Sequence, residues 1–233
     1  MKKTRQLVIV GDSSFAEVAS EYFTHDSPYE VKAFSTERPY LKRDTLCGLP
    51  IVPYDELTQR YHPSEYDIFV AVVYTQLNRL RTRLYLQAKE WGYGIASYVS
   101  SKAFVWPNVK IGEHCFIFEN NVLQPFVTLG NNVVLWSGNH IGHHSNIDDN
   151  CFISSHVVIS GHCQVGKNCF MGVNATIADQ VTIADDTLLG AGSIILKETA
   201  VGTVYKSTPT ELATVSSYKI FKVLPEDLVH EVG

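Results

Sequence analysis

No stretch of eighteen consecutive apolar residues occurs in this chain, which excludes a membrane-spanning helix. A basic opening followed by an apolar signal segment is also missing, so the expected location is the cytoplasm and no membrane partner is expected. Basic residues are too few and too scattered to form a stripe. With 19 Lys and Arg against 24 Asp and Glu, the net charge is −5 and the isoelectric point is near 6.0, which argues against general nucleic-acid binding. At 233 residues and 45% hydrophobic content, the chain is long enough for two small domains.

What is present is a period. Every sixth residue from Val99 to Val201 is aliphatic, eighteen positions in succession. If about a quarter of residues were aliphatic at random, the odds of such a run would be ~10⁻¹¹. A period of six suits neither a helix nor an alternating strand. It is the mark of a parallel β-helix, in which each hexad makes one short flat side and a turn. Three sides close a triangular coil, so residues eighteen apart stack on one another. At ~4.8 Å per coil, the five to six coils expected from this span make a prism roughly 27 Å tall.

The position two before each aliphatic should also face inward, and it holds small residues from Ala103 through Thr199, none aromatic or charged. Four of the five cysteines, Cys115, Cys151, Cys163 and Cys169, fall in this register, where a free thiol packs as a small apolar group. Their spacing does not converge ligands on a metal. Glycines follow the aliphatics at 112, 130, 142, 166, 172 and 190, where a tight corner is expected to favour positive φ.

Residues 1–98 follow another rhythm. Leu7–Val10 reads as a buried strand, and Gly11, Asp12, Ser13 and Ser14 as a turn in which either serine can cap a helix through Phe23. Val31–Phe34 and Ile68–Val73 read as further strands, and Gln76–Trp91 as a helix. This alternation predicts a small parallel α/β sheet of the βαβ, Rossmann-like kind. Such a turn offers N–H groups to a phosphate, and Gly11, Ser13 and Ser14 are candidate contacts to a nucleotide-linked sugar. The second and third glycines of a dinucleotide fingerprint are absent. The expected division is therefore 1–98, a nucleotide-sugar-binding α/β domain; 99–204, the β-helix; and 205–233, a capping segment. That segment is expected to carry a short helix around Glu211 to Phe221 and a loose last ten residues.

Five of nine histidines lie between residues 140 and 162. His143 follows the corner Gly142, so its imidazole should project outward at an edge, and Gly161 lies eighteen residues further on. A glycine above a histidine leaves open space and a backbone N–H that suits a thioester or its developing oxyanion. Neutral imidazole is a suitable general base. His162 stacks eighteen residues from His144, which admits a structural ladder, a contact between subunits or a metal pair. Asn121 and Asn139 are a similar inward pair, suggesting an amide ladder unless Asn139 orients a histidine.

The hexads, the segment Asn139–Ser145 and the segment Gly166–Ile177 resemble the left-handed β-helix acyltransferases. More narrowly, they are similar to the bacterial sialic-acid O-acetyltransferase and nucleotide-amino-sugar N-acetyltransferase group, whose members also begin with a small βαβ domain. The resemblance implies left-handed winding, a homotrimer, and acetyl-CoA lying between neighbouring prisms as co-substrate with no metal. It implies His143 as catalytic base with His144 beside it, where the family often has an acidic residue. Gly161, Val173 and Ala191 become backbone contacts to the pantetheine arm, with Trp136 and Asn139 near the acceptor. The activity implied is direct N-acetylation of a nucleotide-linked amino-deoxyhexose for surface polysaccharide. Alternatives are O-acylation of a free sugar such as sialic acid, or a non-catalytic or metal-binding trimer.

Overall fold

The computed structural model describes residues 2–224. Strands β1 (Arg5–Val10), β2 (Tyr29–Thr36), β3 (Thr45–Leu46), β4 (Leu49–Pro53), β5 (Tyr66–Val70) and β6 (Gly94–Ile95) form one sheet in the order β3-β4-β2-β1-β5-β6. All neighbours are parallel except β3 and β4. Leu7 to Val10 are buried on both sides, as a central parallel strand requires. Helix α1 (Ser14–His25) buries Phe15, Ala16, Ala19 and Phe23. Helices α2 (Leu57–Arg60) and α3 (Arg79–Glu90) complete the domain.

The β3–β4 hairpin was not expected. Its two-residue turn, Cys47 and Gly48, has φ of 50° and 76°, the paired positive values that a twisted hairpin favours. Helix α3 starts three residues later than its apolar spacing predicts. Gln76, Leu77 and Asn78 run at φ of 54°, 49° and 68°, a left-handed turn that cannot continue into a right-handed helix.

From Tyr98 onward the chain is a left-handed parallel β-helix of two-residue rungs. The first face stacks Tyr98–Val99, Phe116–Ile117, Val134–Leu135, Phe152–Ile153, Phe170–Met171, Leu188–Leu189 and Val204–Tyr205. The second runs from Phe104–Val105 to Ile194–Ile195, and the third from Lys110–Ile111 to Thr182–Ile183. Both inward registers fill the prism, with cysteines 115, 151, 163 and 169 buried and free among the aliphatics.

Two expectations need correction. The glycines at 112, 130, 142, 166, 172 and 190 do not have positive φ; the left-handed residues fall two positions later, at His114, Asn132, His144, Asn168 and Asn174 among others. These glycines are needed because the next coil passes too close. A Cβ on Gly142 would lie 2.5 Å from the Ser160 carbonyl carbon, and one on Gly172 would lie 2.5 Å from the Ala191 nitrogen. The hexad also ends at Ile195. Val201 is 69% exposed in a turn, and the last rung pairs Leu188 with Val204, two residues short of the usual eighteen. Helix α4 (Ser217–Phe221) is shorter than expected, and the residues expected to be loose lie almost wholly outside the described ones.

The first face carries aromatics outward, and α1 lies on them. Phe15, Tyr22 and Phe23 pack against Tyr98, Phe116 and Phe118, with Phe15 and Phe116 centroids 5.7 Å apart and nearly perpendicular. Burying each such ring contributes about 2 kcal/mol. Beside this apolar seam lies a polar one. The guanidinium of Arg81, fully buried, donates from Nε to Asn132 Oδ1 at 2.8 Å and from Nη2 to the carbonyls of Asn132 and Cys151. Burial lowers the Arg81 pKa to about 10. His114 accepts the Val70 N–H at Nε2, 2.8 Å away, and its Nδ1 lies 2.8 Å from Asn132 Oδ1.

Candidate active-site edge

The histidine cluster lies on the edge between the second and third faces. After the rung His140–Ile141, Gly142 lets the chain pass under Ser160, and His143 turns outward, exposed. Its N–H donates to Gln124 Oε1 at 2.9 Å. The imidazole then lies over Gly161. A Cβ on that glycine would meet His143 Cε1 at 2.9 Å and Nε2 at 3.0 Å, so any larger residue would displace the ring. The Gly161 N–H donates to no acceptor among the described residues, while its carbonyl takes the Gln180 N–H at 2.9 Å. An outward imidazole next to an unused backbone donor can take a proton and stabilise a developing oxyanion in one cleft.

His143 Nδ1 lies 3.1 Å from His144 Nδ1, so one of the two imidazoles donates to the other. His144 is itself clamped: its ring stacks on Phe126 at 4.5 Å and on His162 at 4.8 Å and 12°. The His162 ring meets His143 edge-on at 5.0 Å. Among the described residues these three form a cluster with ligand atoms within 4.8 Å of one another. The His144 and His162 rings are nearly parallel and form a ladder along the edge.

Val173 and Ala191 lie on another edge, between the first and second faces, one stacked directly after the other and both exposed. Their N–H groups also donate to no acceptor among the described residues. Within one chain the whole second face separates them from Gly161. The structure thus does not bring the three proposed pantetheine contacts together in a single prism.

In the α/β domain, Gly11 and Ser13 line a cleft of about 280 Å³ with Asp12, Thr36, Glu37 and Tyr40. Gly11 has φ of 134°, and a Cβ there would lie 2.6 Å from the Ala71 carbonyl oxygen, so glycine is required at this turn. Ser13 is the N-cap residue of α1, but its side chain makes no capping bond and remains exposed. Ser14 opens the helix and is exposed as well.

Two expected acceptor contacts are corrected. Asn139 is inside the prism, 1% exposed, with its amide donating to the Trp136 carbonyl at 2.5 Å and its oxygen accepting the Val157 N–H at 2.8 Å. Both ends are used by backbone, which makes it a rung of a structural ladder. Trp136 is a packing residue: it stacks on Phe118 at 4.4 Å and 12° and lies 5.9 Å from Phe15, at the seam with α1. Three residues at the edge escaped the sequence reading: Gln124, Phe126 and Asp179. Asp179 Oδ1 approaches the space over Gly161, and counting eighteen onward from Gly161 would have found it.

A βαβ domain docked on a left-handed hexapeptide prism with a histidine-bearing edge defines the class of this protein as a hexapeptide-repeat β-helix protein. The family model described as dynactin subunit 5 matches residues 103–219, half of the chain, and the chain belongs to that family. Solved structures with the same fold include the acetyltransferase domain of PglB from Neisseria gonorrhoeae. It is 23% identical, with a TM-score of 0.79, covering 89% of this chain and 99% of that one. A histidine-to-asparagine variant of perosamine N-acetyltransferase from Caulobacter crescentus, in complex with CoA and GDP-perosamine, is 22% identical. Its TM-score is 0.78, covering 90% and 97%. WeeI from Acinetobacter baumannii is 18% identical with a TM-score of 0.67, covering 88% and 98%. No curated protein matches the sequence. Among the described residues no helix is long and apolar enough to cross a membrane.

Proposed function

We propose that this protein is an acetyl-CoA-dependent acetyltransferase that N-acetylates a nucleotide-linked amino-deoxyhexose of surface polysaccharide. The observation that carries the reading is the exposed His143 imidazole held over Gly161, whose N–H is unused. His143 acts as the general base and the Gly161 N–H takes the oxyanion as the amine attacks the thioester. His144, stacked between Phe126 and His162, holds the His143 ring in orientation. Gly11, Ser13 and Ser14 receive the nucleotide. The solved relative that binds CoA and GDP-perosamine supports this choice of substrates.

The reading includes a homotrimer. Gly161 lies on one edge and Val173 with Ala191 on another, so a groove holding all three takes its walls from two copies. The second face between those edges is apolar and exposed at Phe104, Val158 and Ile194, as a contact surface requires. Narrower membership in the sialic-acid and nucleotide-amino-sugar subgroup, and a cytoplasmic location, belong to the same proposal.

The test is thiol release from acetyl-CoA with GDP-, UDP- and dTDP-linked amino sugars. His143→Ala is expected to lower turnover at least ~10²-fold with the fold intact. Near-normal turnover in the variant removes His143 from the mechanism. A second reading, a non-catalytic β-helix subunit of a larger assembly, is favoured by the family match. It predicts that wild-type protein releases no thiol with any sugar of the panel.

A further inference from the structure

In the column His143, Gly161, Asp179 the two outer side chains converge on the glycine, which is buried beneath them. The point where a Cβ on Gly161 would stand is 3.0 Å from His143 Nε2 and 3.0 Å from Asp179 Oδ1. An imidazole nitrogen and a carboxylate oxygen therefore come together over one residue, and they can do so because that residue has no side chain. The other carboxylate oxygen, Asp179 Oδ2, accepts a bond from Gln180 Nε2 at 2.9 Å, which leaves Oδ1 toward Gly161 and His143. Asp179 is exposed and makes no ion pair among the described residues; the Gln180 bond turns its other oxygen toward Gly161.

We propose that Asp179 is the residue that selects an amine over a hydroxyl as acetyl acceptor, by holding the acceptor's ammonium group beside His143. The inference rests on the acetyltransferase reading of this edge and gives it a substrate class. At neutral pH a sugar amine arrives mainly as its ammonium, which offers three donors and a positive charge. A hydroxyl offers one donor and no charge, and so gains far less from a carboxylate. An ammonium bound on the solvent side of Gly161, in reach of Asp179 Oδ1 and His143 Nε2, points one N–H at each.

The reaction then balances as follows. The ammonium loses one proton through His143 to water, giving the free amine with its lone pair. The amine nitrogen attacks the thioester carbonyl carbon, the C–N bond forms, and the Gly161 N–H holds the oxyanion. His143 takes the second proton from nitrogen. Collapse breaks the C–S bond, and that proton passes from the imidazolium to the departing CoA thiolate. Two protons leave nitrogen, one to water and one to the thiol, and the product is a neutral amide. The carboxylate takes no part in the proton transfers; beside Gly161 it keeps the positive charge on the acceptor side of His143.

Asp179→Asn keeps the shape and removes the charge. In steady-state assays with acetyl-CoA and a matched pair of nucleotide sugars, one amino and one hydroxyl at the same carbon, wild type is expected to prefer the amine. In the variant the KM for the amine is expected to rise at least tenfold, with the KM for acetyl-CoA and any residual turnover of the hydroxyl sugar unchanged. Asp179→Glu is expected to recover part of the preference. An unchanged amine KM in Asp179→Asn, or a wild type with no preference between the two acceptors, overturns this proposal and leaves the acetyltransferase reading standing. Failure of wild type to acetylate any acceptor overturns both.

Discussion

His144 and His162 adopt φ of 58° and 55°, a region that Asn, Asp and His enter more readily than branched residues. That backbone choice aims both rings along the edge, so they stack and clamp the partner of His143. The corner glycines act by a different constraint, the approach of the next coil. Gly142→Ala is expected to destabilise the protein by about 2 kcal/mol or more, because its Cβ would meet backbone that cannot move aside. Gly192→Ala has open space around it and only the cost of a positive φ, about 1 kcal/mol. Thermal melts of the two variants check the ranking. The sequence showed where His143 points, because exposure follows from hexad register. It did not show that Asn139 is sealed in, since an inward asparagine reads alike whether it meets backbone or a substrate. Nor did spacing reveal which pair of a histidine's ring nitrogens would meet.

At the scale of elements, the rungs were legible because each repeats one inward pair, whereas the connecting pieces followed local chemistry with weaker signals. The β3–β4 hairpin turns on Cys47-Gly48, which lacks the asparagine or aspartate that usually announces such a turn. The late start of α3 comes from the left-handed turn, with Asn78 Nδ2 anchored to the Cys169 carbonyl at 3.3 Å. The docking face could have been read from the outward Tyr98, Phe116, Phe152 and Phe170, which recur at multiples of eighteen. The polar seam carries a pH prediction. Burial is the main cause that lowers the His114 pKa from 6.5 to about 3; its Nε2 must also keep a lone pair for the Val70 N–H. The unfolded chain binds this proton and the folded one does not. Stability is therefore lost as pH falls from about 6.5, at up to about 1.4 kcal/mol per unit, with the loss complete near pH 3. His114→Gln, whose amide can accept from Val70 and donate to Asn132, is expected to flatten that part of the stability–pH curve in denaturant titrations.

For the whole molecule, the proposed trimer places the second face at the contact between copies. Ile194, 68% exposed, is at its far end, and Val158, in the same column, is nearer the histidine cluster along the prism. Val158→Lys is expected to shift the mass in solution from about three times the 26.0 kDa chain toward a single chain, measured by light scattering, and to abolish thiol release with it. A single-chain mass for wild type would remove the trimer. The start of the β-helix was readable from the change of rhythm near residue 98, but the docking of the α/β part on it was not, because it depends on aromatic faces that local patterns do not pair. The shortened final rung has one more consequence. Parallel β-backbones offer hydrogen-bonding edges to any strand that arrives in register, and a prism with a full terminal coil would invite another molecule to stack end to end. By pairing Leu188 with Val204 out of step, the chain breaks the eighteen-residue register on that side of the rim, so a second prism stacked there in register meets a mismatched rung.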